Sequence, residues 1–157
     1  MTFKGKVYKY GKNIDTDVII PARRLVTKDA AVLASFCMED LDSDFVETVA
    51  AGDIILGDTN FGCGSSREQA VIAIKGCAVK LVAAKSFARI FYRNCVNNGI
   101  CPLEIDDTFY NGIHHKDVVS LELEKGIAIN HTTGETIAFS PVQERILALL
   151  ALSEKNG

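Results

Sequence analysis

The sequence lacks any apolar run approaching the ~18 residues of a membrane-spanning helix, so no membrane association by insertion is expected. Its first residues, Met1-Thr2-Phe3-Lys4-Gly5-Lys6, are basic, but no apolar stretch follows them, and no secretory signal is expected. It also lacks a surplus of positive charge. Seventeen Lys and Arg against 20 Asp and Glu give a net charge of −3. With a pI near 5.6, this argues against binding nucleic acid or an anionic membrane surface by bulk charge. Five cysteines are present, at 37, 63, 77, 95 and 101, and no two stand in a C-x-x-C pair. An odd count without such pairs fits neither a disulfide framework nor a zinc ribbon. Reduced cytosolic thiols, packed mostly as small hydrophobes, are expected instead. There is no internal repeat, no low-complexity tract and no linker.

What is present suits one globular unit over residues 1–157. Hydrophobic residues make up 48% of the chain and charged residues 24%, enough for a core and too evenly mixed for disorder. Residues 6–10 alternate as a strand does. Asn13 to Pro21 starts polar and becomes apolar, as a turn feeding a buried segment would. Asp29 is a candidate N-cap for a helix running to about Met38, with Leu33, Phe36 and Cys37 on one face. Asp53 to Gly57 reads as a buried strand, followed by a glycine-bearing loop and a helix ending near Gly76. Ser66 with Gln69, or Ser65 with Glu68, fits a capping box at the start of that helix. Val79 to Ala84 is a second strand. A helix capped by Ser86 follows, with Phe87, Ile90, Phe91 and Cys95 in one stripe and Gly99 past its end. This alternation predicts an α/β fold with a partly parallel sheet. Strands are expected over 118–123, 127–130 and 136–139. The order Ser140-Pro141-Val142-Gln143 predicts a C-terminal helix over about 141–154.

The loop Asn60-Phe61-Gly62-Cys63-Gly64-Ser65-Ser66-Arg67 holds the most chemistry. Its glycines permit close backbone approach. A helix start, two hydroxyls and a guanidinium at one place suit a carboxylate or phosphate oxygen. The alternative is a tight turn whose serines only cap. The spacing matches no nucleotide-binding glycine motif. Ser65 is a candidate base or nucleophile, but the loop is not a G-x-S-x-G elbow, so a Ser-His-Asp hydrolase is not expected. Cys63, close to a helix start, is a candidate low-pKa thiol. His114, His115 and His131 read as surface residues, and Asp15 and Asp17 as turn formers. Arg23 and Arg24 are a solvated pair or a second carboxylate clamp. The cysteine spacing is not that of an iron–sulfur ligand set.

Three strings, Gly11 to Pro21, Asn60 to Ala70 and Lys85 to Asn94, resemble in order the motifs of the aconitase family, within it the 3-isopropylmalate dehydratase small subunits. The resemblance implies a swivelling β/β/α domain that closes over a large subunit. It implies that a [4Fe–4S] cluster sits on that large subunit and binds the substrate hydroxyl, with no cluster ligand on this chain. Carried over, Ser65 would be the base for the carbon-bound proton. Arg67 would bind a substrate carboxylate, and Ser66 would help hold its oxygens. The implied reaction is dehydration and rehydration of a small branched hydroxy dicarboxylate, 2-isopropylmalate in the leucine pathway. Relatives that take an additional carboxylate tend to carry an arginine where this chain has Val26. A valine suits an isopropyl or methyl group. Arg23 and Arg24 stand just before it, as a second clamp or as a contact to the large subunit. The expected assembly is a heterodimer or heterotetramer in the cytoplasm. Dimethylmalate, citraconate or homoaconitate would be alternative substrates. A non-catalytic anion-binding assembly module is the reading from another class.

Overall fold

A computed structural model describes residues 1–156, with side chains described through Glu154. The elements follow in the order β1 (Thr2–Lys9), α1 (Thr16–Ile19), a 3-10 turn (Ala22–Arg24), α2 (Ala30–Ala34), α3 (Phe45–Thr48), β2 (Ile54–Gly57), α4 (Glu68–Gly76) and β3 (Leu81–Ala84). After them come α5 (Arg89–Asn97), β4 (Cys101–Glu104), α6 (Asp107–Asn111), β5 (Val118–Glu122), β6 (Ile127–Asn130), β7 (Thr136–Ala138) and α7 (Glu144–Asn156). The seven strands lie in the order β4-β3-β2-β1-β5-β6-β7.

The sheet changes character at β1. Thr2 to Lys6 pair antiparallel with β5, whereas Val7 to Lys9 pair parallel with β2. From β1 to β4 all neighbours are parallel, and from β5 to β7 all are antiparallel. Asp53 pins the crossover. Its buried carboxylate accepts from the amides of Lys6 (3.0 Å) and Ala50 (2.8 Å).

The parallel strands are apolar on both faces because both are covered. On one side Tyr8, Ile55, Val82 and Ala84 pack against α2, α4 and the Phe91–Cys95 side of α5. On the other, Val7, Ile54, Leu56 and Leu81 pack with α6, α7 and the inner face of the antiparallel strands. At roughly 25 cal/mol per Å² of apolar surface, these two layers supply most of the driving force for folding.

Four expectations need correction. The start of α4 is capped by no side chain: Arg67 is the flanking residue, and Ser65 and Ser66 stand outside the helix. Ser86 does not cap α5. Its hydroxyl instead accepts from the Asn60 amide at 2.8 Å, and Ala88 flanks the helix. Ile90 is 49% exposed rather than in the core, because α5 begins at Arg89 and turns its first apolar residue outward. The last helix starts at Glu144, not near Pro141. The Val142 amide donates to the Leu123 carbonyl (3.1 Å), which holds Ser140 to Val142 alongside β5 before the helix can begin.

Candidate active site

The carboxyl ends of β1, β2 and β3 release three loops side by side, and these are the three motif strings. In parallel sheets this edge is where ligand sites form. Backbone bonds lock the loops together. Asn13 donates to Thr59 (2.9 Å), Gly62 to Ile14 (2.7 Å), Thr16 to Cys63 (2.9 Å) and Phe61 to Ser86 (3.0 Å). The Asn60 side chain reaches Asn13 at 3.1 Å. Gly62 and Gly64 have φ of +80° and +87°, a region that favours glycine, and an added Cβ at Gly62 would overlap the Phe91 ring.

The Asp15–Asp17 turn braces the loop that carries the serines. Asp15 caps α1 by accepting from the Val18 amide at 2.9 Å. The buried Thr16 donates its hydroxyl to the Ser65 carbonyl at 2.7 Å. That contact fixes the Ser65 backbone and leaves its side chain exposed. Asp17 accepts from Arg67 at 3.1 Å and, through the same oxygen, from the Ala22 amide at 2.9 Å. One carboxylate therefore joins the guanidinium to the segment that holds Arg23 and Arg24.

A cavity of about 250 Å³ opens at this point, lined among others by Thr16, Gly64, Ser66, Arg67, Ile90 and Asn94. Its polar groups come from three places: Thr16 on α1, Ser66 and Arg67 before α4, and Arg89 and Asn94 on α5, with Ile90 and Phe91 as apolar lining. Ser65 stands exposed beside it. Of the expected residues, Ser66 and Arg67 line the cavity, and Ser65, next to them in sequence, does not. Sequence reasoning missed Thr16, Ile90 and Asn94 as lining. The signal for Ile90 and Asn94 was their spacing of four on α5, which sets both on one face.

Arg23, Arg24 and Val26 are not brought into this cavity. Arg23 forms a two-point contact with Asp40 (2.6 and 3.0 Å) and a third with Glu39. Arg24 pairs with Glu39 at 2.9 Å and lies over the Phe36 ring at 3.7 Å. Arg24 holds the Glu39 carboxyl below its ordinary range, with Arg23 adding to the effect. Val26 is 89% exposed.

Cys63 differs from expectation: burial, then the charge of Asp15, pushes its thiol up rather than down. The histidines take no part. His115 accepts from the Lys9 amide at 2.9 Å, His131 contacts Ser120 at 2.8 Å, and His114 sits by Asp117. Among the described residues, no group of three or more His, Cys, Asp or Glu side chains is placed to hold a metal ion. No described helix is long and apolar enough to cross a membrane.

The aconitase C-terminal domain family matches residues 42–108, which include the serine loop. The 3-isopropylmalate dehydratase small subunit of Caldicellulosiruptor saccharolyticus is 54% identical over 144 residues, covering 92% of this chain and 83% of the relative. That of Heliobacterium modesticaldum is 53% identical over 140 residues, 87% of this chain and 81% of the relative. The chain belongs to the family of 3-isopropylmalate dehydratase small subunits. A crystal structure of 3-isopropylmalate dehydratase from Methanocaldococcus jannaschii overlays with a TM-score of 0.89 at 41% identity, over 100% of both chains. The sheet with its two covered faces is thus the fold of this family. A solution structure of a UPF0107 protein, 16% identical over 89% of this chain and 92% of that one, overlays with a TM-score of 0.52 and shows the fold alone.

Proposed function

We propose that this chain is the small subunit of a cytoplasmic hydro-lyase that interconverts 2-isopropylmalate and 3-isopropylmalate through 2-isopropylmaleate. Residues 1–157 act as one swivelling unit against a large subunit, in a heterodimer or heterotetramer. The observation that carries this reading is the Ser65-Ser66-Arg67 corner. Two exposed serines and a guanidinium stand at a helix start, in a chain about half identical to named dehydratase small subunits.

The chemistry follows from what these groups can do. Removing water from a hydroxy acid requires loss of a proton from the carbon beside a carboxylate. Ser65 accepts that proton. A serine is a poor base by itself, so its alkoxide needs stabilising partners. The first-turn amides of α4 and the cation of Arg67 supply them. Arg67 binds the carboxylate next to the reacting carbon, where negative charge develops, and Ser66 holds an oxygen of it. The hydroxyl leaves the neighbouring carbon and departs with a proton as water, giving the alkene. Water then adds back with its hydroxyl on the carbon that lost the proton and a proton on the carbon that lost the hydroxyl, which completes the isomerisation.

The cysteines of this chain do not make a cluster site. Cys37, Cys95 and Cys101 are buried, and the five are spread over separate elements. We therefore assign the [4Fe–4S] cluster to the large subunit. Val26, outside the cavity in this chain alone, meets the branched end of the substrate only when the large subunit closes. So exposed a valine is better covered, and an apolar cover disfavours an additional carboxylate, which would lose its hydrogen bonds at a cost of several kcal/mol, roughly. Arg23 and Arg24, already engaged with acids, suit a contact with the large subunit.

The test is turnover of the chain mixed with its large subunit, across isopropylmaleate, citraconate, dimethylmalate and homoaconitate. Isopropylmaleate is expected to be hydrated fastest, and either subunit alone is expected to be inactive. Faster turnover of homoaconitate would reject the role of Val26. No turnover of any of them by an associated, cluster-loaded complex would favour the anion-binding assembly module.

A further inference from the structure

Two cysteines outside the Ser65 corner meet across a helix packing contact. Gly76, the last residue of α4, makes this possible. A Cβ there would stand 2.8 Å from the Ala34 Cβ, so only glycine lets the end of α4 approach α2 this closely. The residue after it, Cys77, then points its thiol at the Ala34 carbonyl, 3.6 Å away. The same carbonyl accepts the Cys37 amide at 3.2 Å. One oxygen is therefore shared by the backbone of one cysteine and the thiol of the other. Both belong to the same apolar layer, Cys37 with no exposed surface and Cys77 half-buried at its border.

We propose that Cys37 and Cys77 form a reversible dithiol–disulfide modification site, with Cys77 as the attacking thiol and Cys37 as the resolving one. The oxidant is a low-molecular-weight disulfide. The Cys77 thiolate, having lost its proton to water, attacks one sulfur of the oxidant. A bond from Cys77 to that sulfur forms, the oxidant's sulfur–sulfur bond breaks, and one small thiolate leaves. Cys37 then gives up its proton and attacks the Cys77 sulfur, expelling the second small thiolate. Two protein thiols are oxidised and one disulfide is reduced to two thiols.

The environments divide the roles. Cys77 lies at the border of the layer, where an oxidant can reach it, and the neighbouring Cys37 thiol lowers its pKa against the opposing effect of burial. Contact with Cys77, then burial, raises Cys37, which a small oxidant cannot reach directly. Burial pushes Cys101 up to about 12 and raises Cys95 further, so these two stay inert. The bridge would tie the turn after α2, which follows the Arg23–Val26 segment, to the helix that follows the serine loop.

The experiment incubates the full chain with oxidised glutathione, alkylates the remaining thiols under denaturing conditions, and maps disulfides by mass spectrometry without reduction. The expected product is a peptide pair joined through Cys37 and Cys77 that separates on reduction. Cys37→Ser is expected to leave glutathione on Cys77, and Cys77→Ser to leave Cys37 unmodified. Glutathione on Cys63 with Cys37 and Cys77 both alkylated overturns the proposal. So do disulfides only between chains. The map of the unsubstituted chain decides alone if either variant fails to fold.

Discussion

Arg67 has a carboxylate partner before any substrate arrives. Asp17 holds its guanidinium and, through the same oxygen, the Ala22 amide. A planar fork can keep one acidic partner while offering two parallel N–H groups to a carboxylate, a bidentate geometry that the compact ammonium of lysine does not supply. Arg67→Lys is therefore expected to lower kcat/KM by about 10–100-fold, the value of one charge-assisted hydrogen bond or two. Steady-state kinetics of the two-subunit enzyme check this, and an unchanged kcat/KM would remove Arg67 from carboxylate binding. Glu39 gives a pH-dependent counterpart. Its carboxyl, ordinarily near 4.5, is lowered in the folded chain, first by the hydrogen bond from Arg24. The stability this provides is complete above the ordinary value and is lost as the pH falls through the lowered one. Thermal melts between neutral and acid pH should show Glu39→Gln costing stability near neutrality, with the difference closing below that window. A difference constant down to the acid limit would contradict it. At this scale the serines and Arg67 were legible because they are contiguous in one string. The acids that occupy Arg23 and Arg24 were not, because Glu39 and Asp40 come from beyond the following helix, and no local pattern pairs them.

Among the elements, apolar runs bounded by glycine or turn signals were readable, and a strand interrupted by proline was not. β2, β3, β6 and α4 lie where the sequence placed them. β4 escaped notice because it holds Pro102. A proline is tolerated there because β4 is an edge strand. Ser65, Ser66, Ser86 and Ser140 all resembled caps. Each is a serine before a helix, but the helix begins one to three residues later than a cap there would place it. Asp29 is the case where the local rule held. It accepts from the amides of Ala31 (2.9 Å) and Val32 (3.1 Å). Asp29→Ala is expected to cost about 1 kcal/mol in denaturant unfolding. Gly62→Ala should cost more, about 2–4 kcal/mol, because it combines an unfavourable φ with overlap on Phe91. If the Gly62 variant were as stable as the parent, the packing of the serine loop on α5 would be wrongly described.

For the molecule as a whole, the three motif strings are separate in sequence and adjacent in space only because β1, β2 and β3 are parallel neighbours. The α/β alternation made that half of the sheet legible. The split of β1 between a parallel and an antiparallel partner was not, since nothing in Thr2 to Lys9 marks where pairing changes. The resulting edge carries the serines and the guanidinium proposed above as base and anion site, and no group of three or more His, Cys, Asp or Glu side chains placed to hold a metal ion among the described residues. The domain thus folds around its own two apolar layers yet presents only one side of a catalytic site. The central claim is that Ser65 provides the proton acceptor of that side. The most direct measurement is turnover of Ser65→Ala with the large subunit, alongside cluster content and subunit association. Turnover is expected to fall by about 10²–10⁴-fold with cluster content and association unchanged. Turnover equal to that of the unsubstituted enzyme would contradict the account.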